Sequence, residues 1–503
     1  MSTERRIAIC DLGSNSFRMV VFSADGHRWW RTDEIYEPVR IGAGLAETGR
    51  LSEDGIERAL DTVEVFAHFC SAAGITEIDA VATSAIRDAA NSANFLKHSA
   101  LPVRVASMFD EARFGYLAAV NSTTISDGAV LDLGGGSMQL VRVASRHDTE
   151  HGSWPLGAVR MSEQFGIDED QPARPKQMRR LREHALGQLE ATAWLPQAGG
   201  RMIGIGGTVR TLAVAAQIQR REPVDLGVQG AALDRKELGR LIDRLAALPA
   251  SRRAAIPGIK PARADLVLAG AIVIDAVLEH CGFERLEVTE AGLREGVFFS
   301  WLLDGDPPLF EDVRRSSVLN LAAHYSVDTK HTAHVATLAL GLFDQLAELG
   351  LHPGDAVERE LLWSACVLHD VGMVIDYDDH HHHSRYLVQH SGLPGFSQRE
   401  VALIGQMVRY HRKGDPSLGP LSALCGRGDE PLLRRCALLL RLAEGLERSR
   451  DQAVETVEVR EKKSGAVQLR LRAGEDSVSV ARWAAAREGE LFARTFGREL
   501  RVT

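Results

Sequence analysis

Two stretches of ten residues decide the fold: Asp11 to Val20 reads DLGSNSFRMV, and Asp132 to Val141 reads DLGGGSMQLV. Five of the ten aligned positions are identical: Asp, Leu, Gly, Ser and Val. Each stretch follows an apolar run (Ile7 to Cys10; Ala129 to Leu131) and leads into another (Met19 to Phe22; Leu140 to Val143), so each reads as strand, tight Gly/Ser turn, strand. One such turn is ordinary, because Gly and Asp are what turns need. Two copies about 120 residues apart point instead to two similar lobes whose turns face one cleft. In it Gly13, Gly134, Gly135 and Gly136 would offer backbone N–H groups to phosphate oxygens. Asp11 and Asp132, one at each strand end, could hold Mg²⁺ by oxygen ligation.

Working outward, a third glycine turn, Gly204 to Arg210 (GIGGTVR), sits between an apolar pair and a helix-like run from Thr211 to Ala216. Strand, glycine turn and helix N-terminus form an anion-binding arrangement. Thr83 to Arg87 (TSAIR) ends another apolar stretch and offers a guanidinium, whose fixed fork suits phosphate oxygens.

Composition sets the frame. A chain of 503 residues, 45% apolar and 25% charged, is long enough for three or four folded domains and is not disordered. The net charge of −9 disfavours a general nucleic-acid binder, although a local basic groove could still hold a polyanion. Six scattered cysteines form no CxxC pair, which argues against a disulfide framework or a structural zinc site. No segment approaches the ~18 apolar residues of a membrane span, and the four-residue apolar run after Arg5-Arg6 is too short for a signal peptide. The expectation is a soluble cytoplasmic protein with no membrane partner.

In their order, DLGSNSFRM, TSAIRDA, the Asp110-Glu111-Ala112-Arg113 segment, DLGGGS, GIGGT and Gly292 to Gly296 (GLREG) resemble the Ppx/GppA family of exopolyphosphatases and guanosine pentaphosphate phosphohydrolases. The resemblance implies an α/β fold of two actin-like (ribonuclease H-like) lobes with an interlobe cleft, and a homodimer. It makes Glu111 the general base, assisted by Arg87. The phosphate-binding residues would be Gly13, Ser14, Asn15, Ser16, Gly134, Gly135, Gly136, Ser137, Gly206, Gly207 and Thr208. Mg²⁺ would be held by Asp11 and Asp132 and faced by Gln139, where the family usually has a glutamate.

Ten of the 18 histidines lie between 331 and 411. Apolar residues at 335, 338, 339, 342, 343 and 346 define a helix face that begins one turn after His331. His369-Asp370, the run His380 to His383, His411 and Glu444 follow. This pattern is similar to the HD domain that longer Ppx/GppA proteins carry. It implies a candidate second divalent-metal site from His331, His369 and Asp370, with His383 and His411 outside them and Glu444 where an aspartate is usual. Polar punctuation divides the chain into lobe I (1–124), lobe II (125–308), an all-α HD-like domain (309–450) and a small α+β C-terminal domain (451–503), in which Ser477 to Val480 reads as a strand. Arg314-Arg315, Arg409, Arg412, Lys413 and Arg434-Arg435 could line a path for a polyanion.

The expected function is release of terminal orthophosphate from inorganic polyphosphate, with guanosine pentaphosphate as a second substrate and guanosine tetraphosphate as a further ligand class. The alternatives are HD-type metal-dependent nucleotide phosphohydrolysis centred on His369 and Asp370, or a noncatalytic guanosine polyphosphate sensor in the cleft.

Overall fold

In the computed structural model, which describes residues 4–26, 28–167, 169–474 and 477–503, the first hairpin forms as β1 (Arg5–Leu12) and β2 (Phe17–Asp25). β3 (Arg28–Glu37) continues the antiparallel meander, while β4 (Glu77–Ala82) and β5 (Val103–Val105) add in parallel, giving the order β3-β2-β1-β4-β5. The second hairpin repeats the plan. β6 (Gly128–Leu133), β7 (Met138–Ala144) and β8 (His147–Trp154) form the meander, and β9 (Arg201–Ile205) joins β6 in parallel. β10 (Ala232–Asp234) and β11 (Arg285–Val288) extend the sheet to β10-β11-β9-β6-β7-β8. The duplication extends to register: Asp11 pairs with Arg18 across the first hairpin and Asp132 with Gln139 across the second.

Two helices tie the sheets together. Helix Met108–Val120 leaves the first sheet and buries Ala112 and Tyr116 to Val120 against Val130, Val141, Ile203 and Ile205 of the second. Helix Leu293–Leu302 leaves the second sheet and returns Val297 to Phe299 to Ile7, Ile9, Val20 and Phe22 of the first, with Phe298 stacked on Phe22 at 4.2 Å between centroids. By core membership, the lobes therefore exchange helices rather than meeting at one cut in the chain. Both belong to one compact unit that reaches Val313, with Asp225–Gly227 assigned elsewhere.

The second unit comprises Arg314–Thr503 with Asp225–Gly227. Its helices include Thr329–Glu348, Ala356–Leu368, His380–His390, Gln398–Arg409 and Asp429–Leu446. A sheet of β12 (Thr456–Glu461), β13 (Val467–Arg472) and β14 (Leu500–Val502) follows. Residues 451–503 have no core of their own: Val454, Val457, Val467, Leu469 and Phe492 share one cluster with Leu342, Leu368, Met407 and Leu439. The strand expected at Ser477 to Val480 is absent. Helix Ser479–Ala486 begins there, because the following Ala-Arg-Trp-Ala-Ala-Ala run is made mostly of helix formers. No helix among the described residues is long and apolar enough to cross a membrane.

The crossing of the two exchanged helices depends on Gly296, where a Cβ would lie 1.9 Å from the Phe114 carbonyl oxygen. We expect Gly296→Ala to destabilise the protein by ~1–3 kcal/mol, the usual cost of forcing atoms into a closed contact. Gly341→Ala, whose Cβ would meet nothing within 4 Å on its helix, should be neutral or stabilising. Thermal melts of the two variants and wild type test this, and a Gly296→Ala protein as stable as wild type would contradict the close approach.

Candidate active site

The three glycine turns converge on one cavity of about 160 Å³. Gly13, Ser14, Asn15 and Ser16 line it from the first hairpin, and Gly134, Gly135, Ser137 and Gln139 from the second. Gly206 and Gly207 lead into helix Gly207–Arg220. The two hairpin turns share one conformation: the Gly13 N–H donates to the Ser16 carbonyl at 3.2 Å, and the Gly134 N–H to that of Ser137 at 3.0 Å. Those two amides are therefore used internally, so the turns offer a ligand the groups beyond them. Gly206 has φ 107°, and a Cβ there would sit 2.4 Å from the Leu133 carbonyl oxygen, so only glycine lets the third turn reach the second.

Glu111 lies in the first turn of helix Met108–Val120, after a capping box between Ser107 and Asp110. It is 6% exposed and lines the cavity. Arg87 Nη1 donates to Glu111 Oε2 at 2.6 Å and to the Ala106 carbonyl at 3.1 Å. Arg87 is not among the residues that line the cavity, and its guanidinium is engaged with the Glu111 carboxylate. Gln139 lines the cavity, and its Nε2 donates to Ser137 Oγ at 2.9 Å and to Glu111 Oε2 at 3.3 Å, so its amide N–H is the group turned toward Glu111.

Two other expected phosphate ligands have different work. Thr208 is buried and points its methyl toward Gly270, outside the cavity lining. Gly136 lies where a Cβ would come within 2.5 Å of Ser84 Oγ and 3.0 Å of Ser14 Oγ. It lets the hairpin turns pack on each other, and the Ser14 and Ser84 hydroxyls share a 3.1 Å hydrogen bond beside it.

Sequence reasoning missed the cations that dominate this space. Arg18, Arg210, Arg263 and Arg294 all line the cavity. Three of them stand inside motifs already quoted, at the end of DLGSNSFR, GIGGTVR and GLR; Arg263 follows Pro261 in a short 3₁₀ turn and has no comparable signal. Arg294 is 7% exposed, and its Nε and Nη1 have no hydrogen-bond partner among the described residues. Burial, reinforced by Arg294, holds Arg210 down at about 10. Burial also lowers Arg18 and Arg263. The carboxylates are strained the other way. Burial, with Glu111 and Asp11 nearby, pushes Asp132 up to about 7. Asp11 and Glu111 are raised by burial as well, against the pull of Arg294 and Arg87 respectively. The cleft thus holds both signs of charge in a dry setting, with buried N–H donors awaiting oxygen acceptors and desolvated aspartates that fit a hard cation.

A second cluster lies wholly within the other unit. His331 starts the apolar stripe of helix Thr329–Glu348, and His369-Asp370 ends helix Ala356–Leu368. His331 Nε2 is 3.0 Å from Glu444 Oε2, His369 Nε2 is 3.4 Å from the same oxygen and 3.6 Å from Asp370 Oδ1, and His380 Nε2 is 3.2 Å from Asp370 Oδ1. His411 Nε2 lies 3.0 Å from that of His380 and 3.9 Å from Asp370 Oδ1. His383 is not part of this set. On helix His380–His390 the buried residues are His380, His381, Ser384, Val388 and Gln389, and of the four histidines it is His380 that reaches Asp370, in the place expected of His383.

The histidines are oriented in one sense. The Nδ1 atoms of His369, His380 and His411 bond the carbonyls of Cys366, Tyr377 and Val408 at 2.7, 2.8 and 2.7 Å. A carbonyl only accepts, so each Nδ1 carries a proton and each Nε2 is the ring atom turned toward Asp370. Two three-residue groups with ligand geometry, His331-His369-Asp370 and Asp370-His380-His411, share the aspartate. His369 Nε2 and Glu444 Oε2 are buried and, close as they lie, form no well-aligned hydrogen bond among the described residues. Burial favours the neutral forms, yet the mutual charges win for His369, raised to about 9, and for Asp370 and Glu444, both lowered. The donor set fits a divalent cation of the zinc, manganese or iron type.

Residues 20–304 match the model of the Ppx/GppA phosphatase family, and residues 313–480 match that of domain III of the Ppx/GppA phosphatases. The guanosine-5'-triphosphate,3'-diphosphate pyrophosphatase of Vibrio vulnificus is 28% identical over 459 residues, covering 89% of this chain and 88% of that protein. A crystal structure of the Aquifex aeolicus Ppx/GppA family member superposes with a TM-score of 0.50 at 28% identity, covering 59% of this chain and 98% of that one. The fold also matches an exopolyphosphatase structure from Cytophaga hutchinsonii, with a TM-score of 0.55 at 24% identity over 59% and 98% of the two chains. With its paired hairpin turns around one arginine-lined cleft and both family models aligned in order along it, the chain belongs to the Ppx/GppA phosphatase family.

Proposed function

We propose that the cleft removes terminal orthophosphate from inorganic polyphosphate, and that guanosine pentaphosphate is a second substrate. The observation that carries this is the buried, unpartnered Arg294 beside Arg18, Arg210 and Arg263. Four guanidiniums are matched to an anion with many equatorial oxygens, and among the described residues no aromatic side chain lines the cavity to hold a base. Glu111 orients a water in line with the terminal phosphorus and takes its proton as the new P–O bond forms. The bond to the bridging oxygen breaks, and the shortened chain leaves with that oxygen. Arg87 and Gln139 fix the Glu111 carboxylate, and the four arginines bear the oxygen charge that spreads in the transition state. Asp11 and Asp132 would hold Mg²⁺, which when bound would add neutralising charge on the phosphoryl oxygens.

Glu111→Gln should lower phosphate release from polyphosphate by ~10²- to 10⁴-fold with little change in substrate binding. Assays on polyphosphate and guanosine pentaphosphate, with wild type and this variant, test base and substrate together. Wild-type turnover by the variant would place the base elsewhere, and inertness of wild type toward polyphosphate would reassign the substrate.

Asp132 gives a pH signature. Its pKa is raised in the folded state, so the folded protein holds a proton that the unfolded chain releases, and stability falls as pH rises from about 4 to about 7. Asp132→Asn should therefore melt higher than wild type at pH 8, by several degrees in metal-free buffer, with the gain shrinking as pH falls toward 4. The same variant should lose activity. Melting scans across that range check it, and a pH-independent difference would mean that Asp132 ionises normally.

A second reading, favoured by the Nε2 atoms that converge on Asp370, is that the helical unit is HD-like and that His331, His369, Asp370 and Glu444 bind a divalent transition metal, with His380 and His411 on the other side of Asp370. The ion would act there as a Lewis acid toward a phosphate oxygen. Protein purified without chelator should carry near-stoichiometric metal by elemental analysis, and Asp370→Ala should lose it. A metal-free wild type that fails to take up Mn²⁺ or Zn²⁺ would exclude the reading.

A further inference from the structure

Beside the histidine cluster the second unit has a pocket of about 620 Å³, within the range of small-molecule sites. His411 and Glu444 form part of its wall, so it opens onto the cluster. Trp483, on helix Ser479–Ala486, also lines it and is 59% exposed, with the Arg487 guanidinium 5.0 Å from the ring centroid. An indole so exposed, one wall of a concave polar site, is a stacking surface rather than a core residue.

The cations of the pocket divide into two sets. Lys413 is committed to Asp379 at 3.3 Å and Arg441 to Glu488 at 2.9 Å. Arg412 Nη1 donates to the Tyr377 carbonyl at 3.5 Å, and neither Arg412 nor Arg448 nor Arg487 has a carboxylate within ion-pair distance among the described residues. Three guanidiniums thus have no carboxylate partner there, and two of them follow the histidine cluster in sequence, at His411-Arg412 and Glu444 to Arg448.

We propose that this pocket binds a nucleotide, with its base on the Trp483 indole and its phosphate between Arg412 and Arg448, directed at the histidine cluster. A bare polyphosphate would gain nothing from the indole, and an uncharged aromatic compound nothing from the arginines. The phosphate end rests on the reading of the cluster as a metal site; the base end does not. The site is separate from the arginine-lined cleft of the other unit, so one chain would carry two phosphate-recognising centres of different chemistry.

The test is calorimetric titration of the full chain, carrying Arg294→Met to weaken binding in the cleft, with GMP, AMP and ribose 5-phosphate. Both nucleotides should bind, and ribose 5-phosphate should bind about tenfold more weakly, the scale of one base-aromatic stack. Trp483→Ala should weaken GMP about tenfold, while Trp483→Phe stays close to the parent and both variants melt with it. Arg448→Met should weaken all three ligands. Absence of nucleotide binding, equal affinity for ribose 5-phosphate, or indifference to Trp483→Ala would overturn the proposal. Metal content measured on the same samples separates the two readings. A metal-loaded protein whose nucleotide affinity ignores Trp483 sinks the pocket alone, and a metal-free protein that cannot be loaded yet binds GMP through Trp483 sinks the metal site alone.

Discussion

Desolvation of like charges in a small volume governs the first unit. Arg18, Arg210, Arg263 and Arg294 share a cavity of about 160 Å³ with Asp11, Asp132 and Glu111. A folded chain that wanted only stability would pair or discard these groups, because buried charge is costly unless it is matched. Here Arg294 is left with unpartnered N–H groups and Asp132 with a pKa near 7. The cost is met by what surrounds the cleft: apolar side chains of both sheets packed on two exchanged helices, which lock one sheet to the other at Gly296 and Phe114. The turns can then meet without a covering core, and the charges remain exposed to a ligand and hidden from bulk water.

The hairpins were legible because flanking apolar runs, turn chemistry and internal repetition agree over 20 residues, and because only one register places Asp11 and Asp132 at equivalent strand ends. The position of Glu111 was legible only through family resemblance; by itself it is an acid in a helix's first turn, where acids are common. Direction of side chains was not legible. Arg87 and Gln139 could have faced the ligand or the base, and three-dimensional packing turns both toward Glu111. Thr208 and Gly136 belong to phosphate-like motifs, yet one packs inward and the other serves turn-on-turn contact. In the run His380 to His383 every residue has the same chemistry, and the helix start after Asp379 decides which one reaches Asp370. The C-terminal tail misled for a related reason: alternation ends at Arg472, and the closing strand β14 comes only after two short helices.

The histidine cluster shows a different solution to the same electrostatic problem. In the cleft, fixed cations and anions are kept apart so that a substrate can complete them. Around Asp370, imidazoles and carboxylates are brought into mutual contact and compensate one another: His369 is raised while Asp370 and Glu444 are lowered. Backbone carbonyls fix three of the rings, so the cluster does not depend on a ligand for its geometry. A cation entering it would displace protons from groups already aimed at one point, which is the condition for tight binding with little rearrangement.

Charge order within the cleft separates the roles of its three carboxylates. Glu111 has a dedicated guanidinium at 2.6 Å and an amide donor on its other side, both of which favour its ionised form. Asp132 has no such contact among the described residues, and burial together with the repulsion of both other acids pushes it up to about 7. In the proposed reaction Glu111, steadied by those donors, is the acid that takes a proton from water, and Asp132, pushed up to about 7, is the acid that would give up a proton to take a cation; guanidinium and amide support set the first apart, burial and like charge the second.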